Sequence, residues 1–354
     1  MPPIELSGGI NFPYENVEIA QALNILPNKY GRIGRRGIFG AGKGVTSTIV
    51  EIKRKQGMLV VLGAKERGAE ADAIKRPDED SIFVRIPHFP WKGTLGPDDI
   101  QDLLSFNEGE PQPKQQAEAM NELLIDLREP ADATTEYTCM GALKGVVKDG
   151  YGNTIIDLFD AFEISKKTVY FDLANENSNI PKICASVTNH IEDNIGGREF
   201  TGVHNYVDDD FMNGLINHPS VTAFAQSGPA MAVEILRQAK MEREENGFVR
   251  EYHINGVTFE TYRGKATLRD GSTDAYVAAN SGQAFPTGTR NIFRPFYGPA
   301  HAMGAANKRG QRIHTTTKVL DHDEGIEVKN QMNELNICAM PEVLVECKGI
   351  ANPG

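Results

Sequence analysis

The residues best equipped for chemistry begin with a glycine-rich run, Gly37-Ile38-Phe39-Gly40-Ala41-Gly42-Lys43-Gly44. A phosphate-binding loop uses such glycines to bring backbone N–H groups to a phosphate, a lysine to meet its charge and a hydroxyl to hold magnesium. This run is one residue short and ends in Gly44, so the hydroxyl is missing. The preceding Lys29 to Arg36 is basic rather than a buried strand. Val45 to Val50 favours a strand over the helix whose N-terminus would face a phosphate. Asp321-His322-Asp323-Glu324-Gly325 carries metal-ligand atoms, but adjacent side chains rarely converge on one ion, and a charged turn is the simpler reading. Asp149-Gly150-Tyr151-Gly152-Asn153 opens like a calcium loop, lacks the closing glutamate and reads as a β-turn. Asp208-Asp209-Asp210 suits a helix start, where the dipole favours negative charge. No Ser or Cys stands in a nucleophile setting such as Gly-x-Ser-x-Gly. Cys139, Cys184, Cys338 and Cys347 form no Cys-x-x-Cys pair and read as reduced, buried thiols. Catalysis has no footing, and neither a cofactor nor a metal is expected.

The elements that would position these residues are uneven along the chain. Residues 1–43 read as an extended arm, broken by Pro2, Pro3, Pro13 and Pro27 and loosened by glycines, with a short helix over Val17 to Leu26. Thr46 to Lys53 and Met58 to Leu62 form a strand pair around Lys55-Gln56-Gly57, and a polar stretch, Gly63 to Ser81, precedes a returning strand at Ile82 to Pro87. This excursion has too few apolar residues for a core of its own, and exposed strand edges invite pairing with another chain. Trp91, the single tryptophan, is read as packing where the excursion rejoins the body. Ala117, Met120, Leu123, Leu124 and Leu127 share one helical face over Lys114 to Leu127. Pro130 then interrupts the pattern, and a second helix is expected over Ala133 to Leu143. Strands follow at Thr154 to Phe159 and Thr168 to Leu173, and helices at Ile183 to Ile195 and Asp208 to Ile216. Val257 to Tyr262 reads as a strand, Ala284 to Gly310 as largely loop, and Asn336 to Cys347 as strand again.

The 354 residues suffice for two or three domains, and the charge is unevenly spread. The chain carries −11 overall, yet between Asn28 and Arg76 twelve Lys and Arg oppose four Asp and Glu. That window is +8 and the remainder −19. A basic arm on an acidic body serves contact with a neighbouring copy, or alternatively nucleic-acid binding with a steep salt dependence. No apolar run approaches the roughly 20 residues needed to cross a bilayer, and the start lacks a secretory signal's pattern, so a cytosolic protein is expected.

Two stretches resemble the lambda-type phage major capsid protein E family. One is Ile86-Pro87-His88-Phe89-Pro90 with Leu95-Gly96-Pro97-Asp98-Asp99-Ile100-Gln101. The more specific runs from Glu136-Tyr137 through Gly141-Ala142-Leu143-Lys144-Gly145-Val146-Val147 to Asp157-Leu158-Phe159-Asp160-Ala161-Phe162. The resemblance implies an α+β Hong Kong 97-like capsid fold. Its parts would be an N-terminal arm (1–43), an extended loop (44–92), a peripheral domain with a spine helix (93–178), an axial domain (179–325) and a C-terminal return to the peripheral domain (326–354). Pro111, Pro113 and Pro130 predict a fragmented spine. The implied function is self-assembly into pentamers and hexamers of an icosahedral virion shell, built in the host cytoplasm around double-stranded DNA. The implied partners are a separate scaffolding protein, a portal and a decoration protein, with no membrane. Lys53, Arg54, Lys55, Lys65, Arg67, Lys75 and Arg76 of the loop are the expected inter-subunit contacts, lying over an acidic neighbour.

Overall fold

The computed structural model describes residues 31–56, 78–101, 104–105, 112–113, 116–226, 240–244 and 247–353. They fall into two compact units, one drawing on Met1–Val50, Val84–Glu136 and Pro295–Asn336, the other on Glu51–Phe83, Tyr137–Arg294 and Ile337–Gly354.

In the first unit, an antiparallel sheet in the order Ile313–Val319, Ile326–Met332, Phe89–Leu95 packs on a long helix, Gln116–Lys144, whose residues up to Glu136 belong to this unit. Strand alternation puts Phe89, Trp91 and Leu95 on the helix side, where Leu95, Val328, Ile313 and Met332 meet Met120, Leu124, Leu127 and Ala131. Gly93 lies in the same row, and a Cβ there would come within 2.9 Å of Leu123, so glycine lets helix and sheet close. Trp91 fixes the contact by donating its indole N–H to the Leu127 carbonyl at 2.9 Å, in keeping with its reading as a packing residue.

The helix corrects the expectation of a fragmented spine: it runs unbroken through Pro130. Proline removes one N–H and crowds the preceding turn, but Pro130 is on the exposed side, while Leu127, Arg128, Ala131 and Asp132 around it are buried. Packing on the inner face outweighs the one lost backbone bond. Pro111 and Pro113 precede the helix.

The second unit is built on a seven-stranded mixed sheet in the order Lys240–Glu244, Gly247–Ile254, Val257–Thr261, Gly202–Val207, Ser281–Thr287, Val345–Lys348, Lys167–Tyr170. Helices Ile180–Asn194 and Asp209–Asn217 start where side-chain caps allow. Asn179 Oδ1 accepts from the Lys182 N–H at 3.1 Å, and Asp208 Oδ1 from the Phe211 N–H at 3.0 Å. Phe171, Phe211 and Phe259 form an aromatic core with centroid distances of 5.1 to 6.2 Å. The expectation of loop from Ala284 to Gly310 fails over its first part, since Ser281–Thr287 and Phe293–Tyr297 are strands. Pro286 is accommodated because the neighbour Val345–Lys348 pairs only with residues 281–284. The expected strand Met58 to Leu62 and helix Val17 to Leu26 lie outside the described residues.

Candidate functional site

The stretch around Ala142-Leu143-Lys144-Gly145 is a junction held by packing. The long helix ends there, with Ala142 and Leu143 fully buried. Gly145 takes φ +80, and a Cβ on it would stand 2.3 Å from the Phe159 ring, so the helix is terminated by a left-handed glycine covered by an aromatic. Strand Val146–Lys148 then pairs antiparallel with Thr154–Asp157. Between them Asp149 Oδ1 accepts from the N–H groups of Tyr151 (2.8 Å) and Asn153 (2.9 Å), with Gly152 at φ +80, which is the β-turn expected there. Asp157 Oδ1 caps Leu158–Ala161 through the Phe159 N–H at 2.9 Å, and the Leu158 N–H returns to the Gly145 carbonyl at 2.8 Å. Lys144 is mostly enclosed: burial lowers its pKa, opposed by the Asp274 carboxylate. Tyr137, two turns before Lys144 on the same helix, donates to Asp274 Oδ2 at 2.9 Å, and burial together with that carboxylate pushes its phenol up.

Upstream, within the first unit, the same helix carries a buried charge network that reasoning from the sequence missed. Asp132 Oδ1 accepts from Arg128 Nε at 2.8 Å and Arg312 Nη2 at 2.7 Å. Arg312 also reaches Thr135 Oγ1 at 3.1 Å and Glu334 Oε2 at 3.7 Å, and Glu334 Oε1 accepts from Asn336 Nδ2 at 2.8 Å. Burial works against the Arg312 charge, but Glu334 and Asp132 outweigh it and raise its pKa. At Arg128 burial and the Arg312 charge prevail, and its pKa falls. One turn along, Glu136 Oε1 accepts the Ile33 N–H at 3.1 Å, which seats the short helix Arg32–Arg35 with Ile33 fully buried. Gly31, at φ +112, passes so close to this carboxylate that a Cβ would overlap it.

Of the seven basic residues expected to contact a neighbour, Lys53, Arg54 and Lys55 lie on strand Ile49–Gln56, which pairs with Asp78–Arg85 in a two-stranded ribbon. Lys65, Arg67, Lys75 and Arg76 lie outside the described residues. At the ribbon base Val50, Ile52 and Val84 are buried, whereas Phe83 is 73% exposed.

The glycine-rich run near Lys43 binds no helix N-terminus to a phosphate geometry. Lys43–Gly44 pairs parallel with Phe296 and Tyr297, Gly42 lies against the Tyr297 ring, and a Cβ on Gly44 would meet the Gly310 carbonyl at 2.4 Å. Its glycines serve close backbone approach. Asp321–Asp323 forms a charged turn closed by the Leu320 N–H on the Gly325 carbonyl at 2.9 Å. All four cysteines are free and buried.

The sequence profile of the family described as phage major capsid protein E matches residues 15–348. The chain belongs to that family. The major capsid protein of Salmonella phage Felix O1 (isolate Felix O1-VT1) is 29% identical over 358 residues, covering 93% of this chain and 94% of the relative. The major capsid protein of Pseudomonas phage KPP10 is 25% identical, covering 95% and 97%. A crystal structure of a prophage capsid protein from E. coli CFT073 superposes with TM-score 0.52 at 14% identity, covering 77% of this chain and 80% of that one, a likeness of fold. The α+β architecture is the Hong Kong 97-like capsid fold. Among the described residues no helix is long and apolar enough to cross a membrane. The charge network left one local trace, the i,i+4 pair Arg128/Asp132. Arg312 and Glu334, some 180 and 200 residues away, gave none.

Proposed function

We propose that this chain is the subunit of the icosahedral shell that encloses the double-stranded DNA of a tailed phage, assembling through pentamers and hexamers. The family match over residues 15–348 carries this reading. The ribbon Ile49–Gln56/Asp78–Arg85, with Phe83 exposed and its basic residues, supports an extended loop that lies on a neighbouring copy. We assign the arm to 1–43, the loop to 44–92, the peripheral domain to 93–178, the axial domain to 179–325 and the closing segment to 326–354. Lys53, Arg54, Lys55, Lys65, Arg67, Lys75 and Arg76 meet an acidic neighbour in this scheme. Heterologous contacts of this kind close into rings. A separate scaffolding protein, a portal and a decoration protein complete the assembly, and the chain itself performs no catalysis. The test is negative-stain electron microscopy of the expressed chain, alone and with its candidate scaffold. Shells, rings or tubes are expected, and deletion of Gly63 to Asp80 should leave a folded subunit that forms none. Intact shells from the deletion would remove the loop from the assembly mechanism, and a monomer under all conditions would overturn the reading.

A further inference from the structure

The three-stranded sheet of the first unit has two faces of opposite character. One packs on the long helix. On the other, register brings Lys92 directly opposite Lys329, and Lys318 opposite Glu327, which faces Thr94 in turn. Lys92, Lys318 and Lys329 are exposed. Like charges directly opposite on strands about 5 Å apart destabilise a sheet left to itself. One carboxylate answers them from within: Glu327 Oε2 bonds Lys92 Nζ at 2.6 Å. The Lys92 hydrogen bond, aided by the Lys318 and Lys329 charges, holds that carboxyl below the usual range. Lys318 and Lys329 act on Glu327 only at longer range, and neither makes a close ion pair with a carboxylate among the described residues. At the margin, a loop held by the His301 N–H on Gln331 Oε1 (2.8 Å) carries Met303, 95% exposed, and Lys308, whose charge acts on His314 of the same face.

We propose that this face binds an acidic segment of a partner polypeptide, whose carboxylates take Lys318 and Lys329 as Glu327 takes Lys92, with Met303 as an apolar contact at the edge. A phosphate backbone fits less well. Nucleic-acid affinity is gathered from many cations at once, whereas this face has three lysines with a carboxylate among them on a chain of net charge −11. The inference rests on the reading of the chain as a shell subunit only for the biological source of the partner.

The test uses the full chain and a fluorescein-labelled oligoglutamate peptide, followed by anisotropy at low ionic strength, with a duplex DNA oligonucleotide as competitor. Lys318→Glu/Lys329→Glu should weaken peptide binding about tenfold, since two exposed ion pairs are lost and replaced by repulsion. Lys182→Glu, on a helix of the other unit, should leave it unchanged. Should the charge reversal alter the melting temperature, Lys318→Gln/Lys329→Gln provides the same comparison. Peptide binding indifferent to both lysine variants overturns the proposal. So does DNA binding more tightly through the same lysines, and so does a change in self-association on sedimentation, which would make the partner a second copy. Shell formation seen by electron microscopy is read separately, so a failure here leaves the assembly function standing.

Discussion

Replacing Arg312 by methionine tests whether the buried charge network of Arg128, Asp132, Arg312 and Glu334 holds the first unit together. Methionine keeps most of the aliphatic volume and removes only the guanidinium. Arg128 and Arg312 balance Asp132 and Glu334, and the two carboxylate side chains are 1% and 2% exposed. After the substitution Asp132 still holds Arg128 at 2.8 Å, but the hydrogen-bond donors left to Glu334 are the neutral Thr135 and Asn336, with the Arg128 charge acting on it only without a direct bond. A buried carboxylate stripped of its cation costs about 3–5 kcal/mol. Because 19% of the Arg312 side chain meets solvent, the low end applies, and we expect a loss of about 3 kcal/mol. The assay is urea unfolding of the unassembled chain followed by tryptophan fluorescence. Trp91 is the sole tryptophan and is bonded to Leu127 on the same helix, so the signal reports on this unit even if the other unfolds separately. Adding Glu334→Gln to Arg312→Met removes the stranded charge and should recover about half of the loss. A single variant within about 0.5 kcal/mol of the parent, or a double variant no better than the single, would refute the reasoning.

Gly145→Ala forces a side chain into a left-handed backbone and against Phe159; strain and overpacking together should remove about 3 kcal/mol, read as a lowered melting temperature. At Asp209, burial opposes ionisation, but Arg263 and Arg250, the latter at 2.7 Å, prevail and hold the carboxyl below its ordinary value. A depressed folded pKa contributes stability that is complete above the unfolded carboxylate value of about 4 and lost as pH falls through the folded one. Asp209→Asn should therefore be less stable at neutral pH by about 1 kcal/mol and show a shallower acid decline in thermal midpoints, whereas parallel pH curves would exclude this clamp. Burial pushes the Cys184 thiol up to about 12, and those of Cys338 and Cys347 higher still. Ellman's reagent should find no reactive thiol among these three in the native chain and should titrate them once urea is added.

Local signals carried one helix start and one turn. Asp208 and Asp149 act within three or four residues of themselves, so their roles could be read directly from spacing, whereas the Asn179 cap, equally local, starts its helix three residues ahead of the expected Ile183. Pro130 and the window from Ala284 onward were misread for a common reason. Each is decided by partners remote in sequence: a buried face against Ile313 to Met332 for the helix, and the pairing of Ser281–Thr287 with Gly202–Val207 for the strand. Arg312 and Glu334 are the extreme case. Nothing near them in the chain announces that Asp132 lies between, because burial alone makes the pairing matter.

The features that first looked chemical and the features that identify the family share one physical role, close approach of backbone. Gly42 and Gly44 admit the Tyr297 ring and the Gly310 carbonyl, Gly93 admits Leu123, and Gly145 admits Phe159. A glycine-rich run next to a lysine is shared by phosphate loops and by tightly packed chain crossings, because both need the backbone exposed on one side. What separates them is the element that follows, and here Lys43–Gly44 enters a strand pairing. Sites where no Cβ fits are rigid by exclusion, and the charge network around Asp132 adds directional bonds that a purely apolar contact lacks. A signature such as Gly141-Ala142-Leu143-Lys144-Gly145 with Asp157-Leu158-Phe159 can therefore mark a family without containing a single reacting group, since each of its side chains is fixed by what it must touch.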